Sequence, residues 1–585
     1  MNEKPKMSKW PKIPRVVRWL ILMAVSFLTA LVLRGFCHFP GITNEVSALM
    51  FLLAASLVVA GLIVFLPPSI KWLCHWRNWR RVLFSVACVA TIIALFYAEE
   101  DWRGWHDWHQ FRQKWEAKGE HFDWASVVPP PVPDDQNFAL TPVVFTSYGW
   151  IIDRTGHKIV PFNTNVINRL MMDYWGGVGN APPDTKGDWT RGIKTDFSGL
   201  QHFYRTLAAK TNLFPVPLVS QSPAADVLVA LGRFGPTIED LRQAAQRPYS
   251  RFPLDYGAGD PADILLPHLS GIKQAGDVVQ LRALAELQTG DPGGALADIM
   301  LLQRLVDSIR SEPFIISHFV RMNLVRRMLQ PVWEGLADRR WTDAQLTALD
   351  AGLAKFDFLA DYKMAIQGEM GMQIGFIGYV REHPEEYERQ VEAVGDAASE
   401  LSVPGMLLHE HLFPSGWFYQ NQLLCARTTE EDYLPIADAE TRTFAPAIAR
   451  QASSVVATWQ ERLTPYNMIE RQIAEIPDNF ALRCAFTQSS VELAHVAIAL
   501  ERYRRATGRF PEALAALEPQ FLSPAPHDVI GGQPLHYRLT DDGQFVLYSV
   551  GWNQTDDGGV VAFNKGTPPT MDMKQGDWVW SYDPQ

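Results

Sequence analysis

Apolar and polar positions divide the chain into a short apolar head and a long mixed body. Three apolar runs lie in the first hundred residues, at about 19–33, 48–66 and 82–98. A membrane-spanning helix needs roughly 17–25 such residues. The second and third runs meet that length. The first is shorter, but the stems of Arg18 and Arg34 let their charges reach the interface. The pattern predicts three transmembrane helices within residues 1–100. Basic residues set their direction. Lys4, Lys6, Lys9, Lys12, Arg15 and Arg18 precede the first run, and Lys71, Arg77, Arg80 and Arg81 lie between the second and third. Glu99, Glu100 and Asp101 follow the third. Basic loops stay cytoplasmic, so the N-terminus is expected inside and everything after residue 98 outside. Trp72, Trp76 and Trp79, then Trp102, Trp105 and Trp108, flank the third run as interfacial rings. No A-x-A-like cleavage site follows the first run, which argues against a removable signal peptide.

Beyond the head, Trp102–Lys118 reads as a juxtamembrane helix. The stretch Val127-Val-Pro-Pro-Pro-Val-Pro-Asp-Asp135 reads as a stiff polyproline-type linker that closes a 101–135 segment. Residues 136–480 are expected to form a mainly α-helical domain with a short β-hairpin near its start, Val143–Ile152 returning at Lys158–Phe162. Thr237–Asp240 and Thr342–Gln345 carry capping-box signals. Leu346, Leu349, Leu353 and Phe356 recur on one helical face, and Gly290-Asp-Pro-Gly-Gly294 breaks Leu281–Leu305 into two helices. Ala397–Tyr433 has poor periodicity and is expected as a surface or packing segment. Val491–Tyr503 is strongly periodic. After Gly508 the pattern turns to strands, Leu535–Leu539 and Phe545–Val550, joined through Asp541-Asp-Gly543. Residues 481–585 are thus expected as a small α+β module. The fold class is membrane-anchored and mainly α, with three N-terminal spans, a helical array and that closing module.

Composition adds limits. The 585 residues carry a formal charge of −11, which argues against a nucleic-acid partner, since that would need a basic face. The five cysteines form no C-x-x-C pair. Cys425 and Cys484 are left with two readings, a disulfide in an oxidising compartment or two buried thiols.

Two resemblances follow from longer stretches. Trp115-Glu-Ala-Lys-Gly-Glu-His-Phe-Asp-Trp124 with Pro129–Phe138, together with Glu312-Pro313 and Trp333-Glu-Gly335, resembles uncharacterised bacterial membrane proteins, a likeness that implies no activity. Ala499–Pro511, with Phe521-Leu522, Pro526, Asp528, Tyr537 and Phe545–Gly551, is similar to the globular half of type II secretion major pseudopilins. That likeness implies a pilin-like module at 481–585, but not assembly into a pilus. Gly35-Phe36 follows a span instead of preceding one, and Pro40 stands where a mature pseudopilin has Glu.

Candidate chemistry is sparse. Asn553, Asp556, Asp557 and Asp577 offer oxygen ligands on a Gly-bearing loop, a set that suits calcium, and the pseudopilin resemblance implies calcium in the same loop. Ser270-Gly-Ile-Lys273 matches S-x-x-K, without the S-D-N or K-T-G that would complete a penicillin-binding site. His409-Glu-His411 could present two imidazoles, although structural histidines are the commoner outcome. His106 and His109 lie among the interfacial Trp residues. Arg321, Arg326 and Arg327 near Glu312 suggest an anionic pocket or, more simply, a solvated helix face. The expectation is a non-enzymatic scaffold or interaction protein of the bacterial inner membrane, with its soluble part in the periplasm and other envelope proteins as partners. The alternative is an envelope hydrolase whose site leaves no linear motif.

Overall fold

The computed structural model describes residues 76–145, 150–152, 159–161, 169–174, 187–257, 261, 264–383, 412–474, 479–523, 526–566 and 569–583. The chain divides into two compact units, Met1–Glu99 and Glu100–Gln585. The first two apolar runs and the His409–His411 motif lie outside the described residues. The third run falls in helix α1, Trp76–Glu116. Among the described residues, α1 is the one helix long and apolar enough to cross a membrane by length and composition. Leu83, Phe84, Val86, Val89, Ile92 and Leu95 are exposed along it.

The second unit is mainly α-helical. Counting only helices of nine residues or more, it contains α2 (Ser198–Ala208), α3 (Pro223–Leu231), α4 (Gly235–Ala244), α5 (His268–Thr289), α6 (Pro292–Ser308), α7 (Ile315–Ala337), α8 (Asp343–Leu353), α9 (Phe358–Glu382), α10 (Ser415–Arg427), α11 (Pro446–Gln460) and α12 (Phe480–Thr507). Local chemistry sets several boundaries. Gly290 in the left-handed conformation ends α5, and the Asp291 carboxylate accepts from Gly294 N at 2.9 Å to start α6. Thr342 and Gln345 form the expected capping box of α8. The other capping signal misleads: α4 starts two residues before Thr237, because Pro236 in its first turn needs no N–H partner.

Strands are short and antiparallel. β1 (Trp150–Ile152) pairs with β2 (Ile159–Pro161), close to the expected hairpin, although Pro142–Phe145 is a helical turn. β3 (Ala437–Asp438) pairs with β4 (Thr443–Phe444). Near the C-terminus, β5 (His536–Leu539), β6 (Phe545–Ser549) and β9 (Trp578–Trp580) form one sheet in that order. β7 (Val561–Phe563) pairs with β8 (Met571–Gly576). The β5–β6 turn closes as its residues dictate: Gly543 has φ 77° and Thr540 N donates to Gln544 O at 3.0 Å.

Two expected boundaries are not seams in the packing. One continuous core runs from Phe138 to Trp580. Helix α12 lies at its centre, packed against α7, α8 and α9 and also against β6, β8 and β9. A helix apolar on more than one side cannot end a domain, so 481–585 shares its core with the helical array. The Pro-rich stretch is not a free spacer either. Pro129 is buried and its carbonyl accepts from Arg251 Nε at 2.9 Å, while Trp124 Nε1 donates to Tyr256 O at 3.0 Å. Likewise the end of α1 belongs to the body. Trp108 and Phe111 pack with Phe122, Met370, Ile374 and Leu423. Trp417 Nε1 donates to Glu100 Oε2 and Gly416 N to Asp101 Oδ1, both at 2.8 Å.

Candidate functional site

The segment of poor periodicity, expected as a surface or packing segment, supplies α10, and the long periodic helix α12 supplies one wall of a polar cleft. Helices α8 and α12 run antiparallel, tied by two side-chain rungs seven residues apart on each. Arg502 Nε donates to Asp343 Oδ1 at 2.9 Å, and His495 Nδ1 meets Asp350 Oδ1 at 2.7 Å. Seven residues is close to two helical turns, so the rungs share one face. The second rung opens on a cleft of about 440 Å³ whose walls include Asp350, Arg442, Glu492, His495, Ser523 and His527.

The charges in this cleft are held from behind. Glu492 Oε1 accepts from Gln488 Nε2 at 2.7 Å, and Gln488 Oε1 accepts from Phe358 N at 2.8 Å. Arg442 sits in the β3–β4 turn with φ 52°, a conformation bulky residues rarely adopt, and its guanidinium donates to Asp357 Oδ2 at 3.2 Å. His527 Nε2 donates to Thr441 O at 3.0 Å. Since Asp350 occupies Nδ1 of His495, Nε2 is the ring nitrogen left for the cleft. A carboxylate in this position fixes which imidazole nitrogen faces the cleft. The Arg442 guanidinium also lies 3.9 Å from Glu492 Oε1, so it is shared between two carboxylates.

Comparison of the chain with protein-family models, with curated proteins and with solved structures gives no match.

The residues singled out from sequence fare differently. Asn553, Asp556 and Asp557 share one turn, which Asp577 reaches from between β8 and β9, but their oxygens face protein donors. Asp577, fully buried, accepts from Gly559 N at 2.6 Å and Asp557 N at 3.2 Å. Burial pushes its carboxyl above the ordinary value, against the lowering effect of those two bonds. Asp556 accepts from Gly558 N at 2.9 Å and Tyr548 Oη at 3.1 Å, and the Gly558 bond holds its pKa below the ordinary value. Asn553 Nδ2 donates to Asp557 Oδ2 at 2.9 Å. Among the described residues, no group of three or more His, Cys, Asp or Glu side chains is arranged to hold a metal ion. Ser270 and Lys273 lie exposed in the first turns of α5. His106 and His109 stack on Trp102 and Trp105. Cys425 and Cys484 are buried free thiols, so the disulfide reading is set aside. Burial raises both thiols well above their ordinary value.

The solvated-face reading of the Arg321 region is overturned. Arg321 is fully buried, bonded to Asp361 and within 3.6 Å of Asp307, with Nε on Val306 O at 3.2 Å. Beside it, the Glu312 carboxylate takes Ser317 Oγ at 2.5 Å and lies 2.7 Å from His268 Nε2. His318 Nε2 donates to Glu312 O at 3.0 Å. Burial, with Arg321 next to it, pushes His318 down to about 3, so its ring is neutral. This network joins α5, α7 and α9 and is structural. Sequence reasoning missed the His495–Asp350 pair because its members are 145 residues apart. The local signal was a polar stripe along α12, with His495 in register with Gln488, Glu492 and Arg502.

Proposed function

We propose that this chain is a membrane-anchored protein of the bacterial cell envelope whose large helical body serves as a scaffold or interaction platform. In this reading three N-terminal helices cross the inner membrane, the N-terminus is cytoplasmic, and the body lies on the periplasmic side. The observation that carries it is α1. Its first half is a bare apolar surface over Leu83–Leu95, and it changes at Glu100 into a segment bound to the body through Trp417, Gly416 and Tyr466. Apolar surface of that extent, exposed among the described residues, is stable in lipid and costly in water. Alkaline phosphatase fused after residue 110 should be active, and fused after residue 78 inactive. The opposite pattern sinks the orientation, and release of the chain from membranes by carbonate sinks the anchor.

A second reading, an envelope hydrolase, is favoured by the His495–Asp350 pair beside Arg442. In it, His495 Nε2 accepts a proton from water as the water oxygen attacks an acyl carbon, and returns it to the departing alkoxide as the ester C–O bond breaks, leaving a carboxylic acid and an alcohol. Purified protein would then hydrolyse model esters, and His495→Ala and Asp350→Asn would each abolish this. Equal rates in all three would remove this reading.

A further inference from the structure

Helices α7 and α12 pack against each other, and between them lies a cavity of about 350 Å³ that Met573 of β8 helps to line. Each helix gives it one face. Met322, Arg326 and Leu329 line it from α7, and Arg483, Thr487 and Ser490 from α12. Both sets step by four residues and then three, as one side of a helix does. Burial sorts the lining by depth. Met322, Leu329 and Phe486 are buried and form an apolar wall, whereas Asn323 and Arg483 are exposed and Arg326 is half-buried. The polar groups therefore stand at the mouth.

Charge at the mouth has one sign. Acidic residues outnumber Lys and Arg in the chain, 64 to 53, yet no Asp or Glu lines this cavity among the described residues. Arg483 lies over the Phe319 ring, 5.8 Å from its centre, and has no carboxylate partner among the described residues. Arg326 is 3.7 Å from Asp188, whose Oδ1 already accepts from Thr190 N at 3.1 Å and Thr190 Oγ1 at 2.5 Å. Asn323 Oδ1 accepts from Arg327 Nε at 2.8 Å, which leaves its Nδ2 as a donor. Thr487 and Ser490 give their hydroxyl protons to Arg483 O and Phe486 O, both at 2.7 Å, so in the wall they only pack.

Charge, surface and size together select a ligand chemistry. A guanidinium binds an oxyanion through paired N–H donors. Asp188 offsets part of the Arg326 charge, so the mouth suits a monocarboxylate better than a phosphate dianion. The apolar wall behind the charges suits a hydrocarbon body, and Met322 and Met573 are side chains that mould to one. A cavity of about 150 Å³ holds benzene, so this one has room for roughly two fused rings or a chain of about ten carbons. Its volume also falls in the range of about 300–1,000 Å³ usual for ligand pockets.

We propose that this cavity binds a small apolar carboxylate, its charge held at the mouth by Arg326, Arg483 and Asn323 and its hydrocarbon body against Met322, Leu329 and Phe486. The test uses the full chain in amphipol, with calorimetry and thermal unfolding during titration with naphthalene-2-carboxylate. Two further probes divide that molecule. Naphthalene-2-methanol keeps the body and drops the charge, and acetate keeps the charge and drops the body. Wild type should bind the naphthoate and melt higher with it. The alcohol and acetate should each bind at least about tenfold more weakly, and so should the naphthoate to Arg326→Gln with Arg483→Gln. Asn323→Trp, which sets a large ring at the mouth, should block uptake. None of these three residues is buried, so melting without ligand should not change in the variants. Partition into amphipol is common to wild type and variants, so the difference between them reports the cavity. Absence of naphthoate binding, or binding undiminished in the arginine variant, overturns the site. Equal binding of the alcohol overturns the carboxylate, and equal binding of acetate overturns the apolar body. The comparison of probes needs only wild type, so it decides even where a substitution disturbs the fold.

Discussion

The join between α1 and the body depends on two residues without side chains. A Cβ on Gly104 would stand 2.6 Å from the carbonyl carbon of Gly416, and a Cβ on Gly416 would stand 2.8 Å from Cα of Asp101. Carbon atoms in contact prefer about 3.5–4.0 Å. Gly104→Ala must therefore push α1 and the start of α10 apart by about 1 Å, and backbone cannot rotate out of the way as a side chain can. Overpacking of this kind costs about 1–3 kcal/mol. The separation also stretches two bonds to charged groups, Trp417 Nε1 to Glu100 and Gly416 N to Asp101, each worth about 1.5–3 kcal/mol when made. With one of the two lost, local destabilisation of about 3 kcal/mol is expected. That corresponds to roughly a hundredfold faster hydrogen exchange, at tenfold per 1.4 kcal/mol. The acceleration should be confined to 100–116 and 415–427, measured by exchange and mass spectrometry on the full chain. Gly378→Ala in α9 is the control, because its Cβ would meet only Gln422 Nε2, at an ordinary 3.6 Å. If Gly104→Ala exchanges like Gly378→Ala, the close crossing is not what holds α1 to the body.

Three further outcomes follow from the buried charges. Arg321→Met strands Asp361 without its partner and should cost about 3–5 kcal/mol, whereas Arg321→Met with Asp361→Leu should recover much of that in thermal unfolding; no recovery would mean the pair is not the source. His318 sits at about 3 when folded against an ordinary value of 6.5, so between those pH values the unfolded chain takes up a proton that the folded chain refuses, and stability falls as pH falls through that window. Asp298, pushed up to about 7 by burial, acts with the opposite sign over an overlapping range, so the check is the difference between wild type and His318→Gln, which should be independent of pH above about 7, with the wild type losing stability relative to the variant as pH falls from there toward 3. Asp577→Ala removes the acceptor of the buried Gly559 N–H and the part-buried Asp557 N–H and should lower the melting temperature equally with millimolar calcium and with chelator; a drop seen only in calcium would restore an ion to that loop.

What the sequence showed well was local. The capping box at Thr342–Gln345, the break at Gly290–Asp291 and the tight turn at Asp541–Gly543 each involve residues within a few positions of one another, and the structure has them. What it hid was burial. Helix α10 lacks a clean apolar stripe because Asn421 and Gln422 are buried in it. Asn421 Oδ1 accepts from Ile469 N and Glu470 N, doing across 48 residues what a cap does locally. Arg321 looked like a surface charge for the same reason: its partner Asp361 lies 40 residues on, in another helix. A charged residue carries no mark in the sequence saying whether its partner is water, a carboxylate or a ligand. That difference decides how the three pairs of basic residues here are read. Arg321 and Arg327 are paired with Asp361 and Asp277 inside the body. Arg442 is shared between Asp357 and Glu492, and His495 holds Asp350, while both face a cleft. Arg427 and Arg462 line another cleft and hold no acid among the described residues; Arg427 instead lies over the Phe111 ring, a partner as invisible in the sequence as Asp361 is to Arg321.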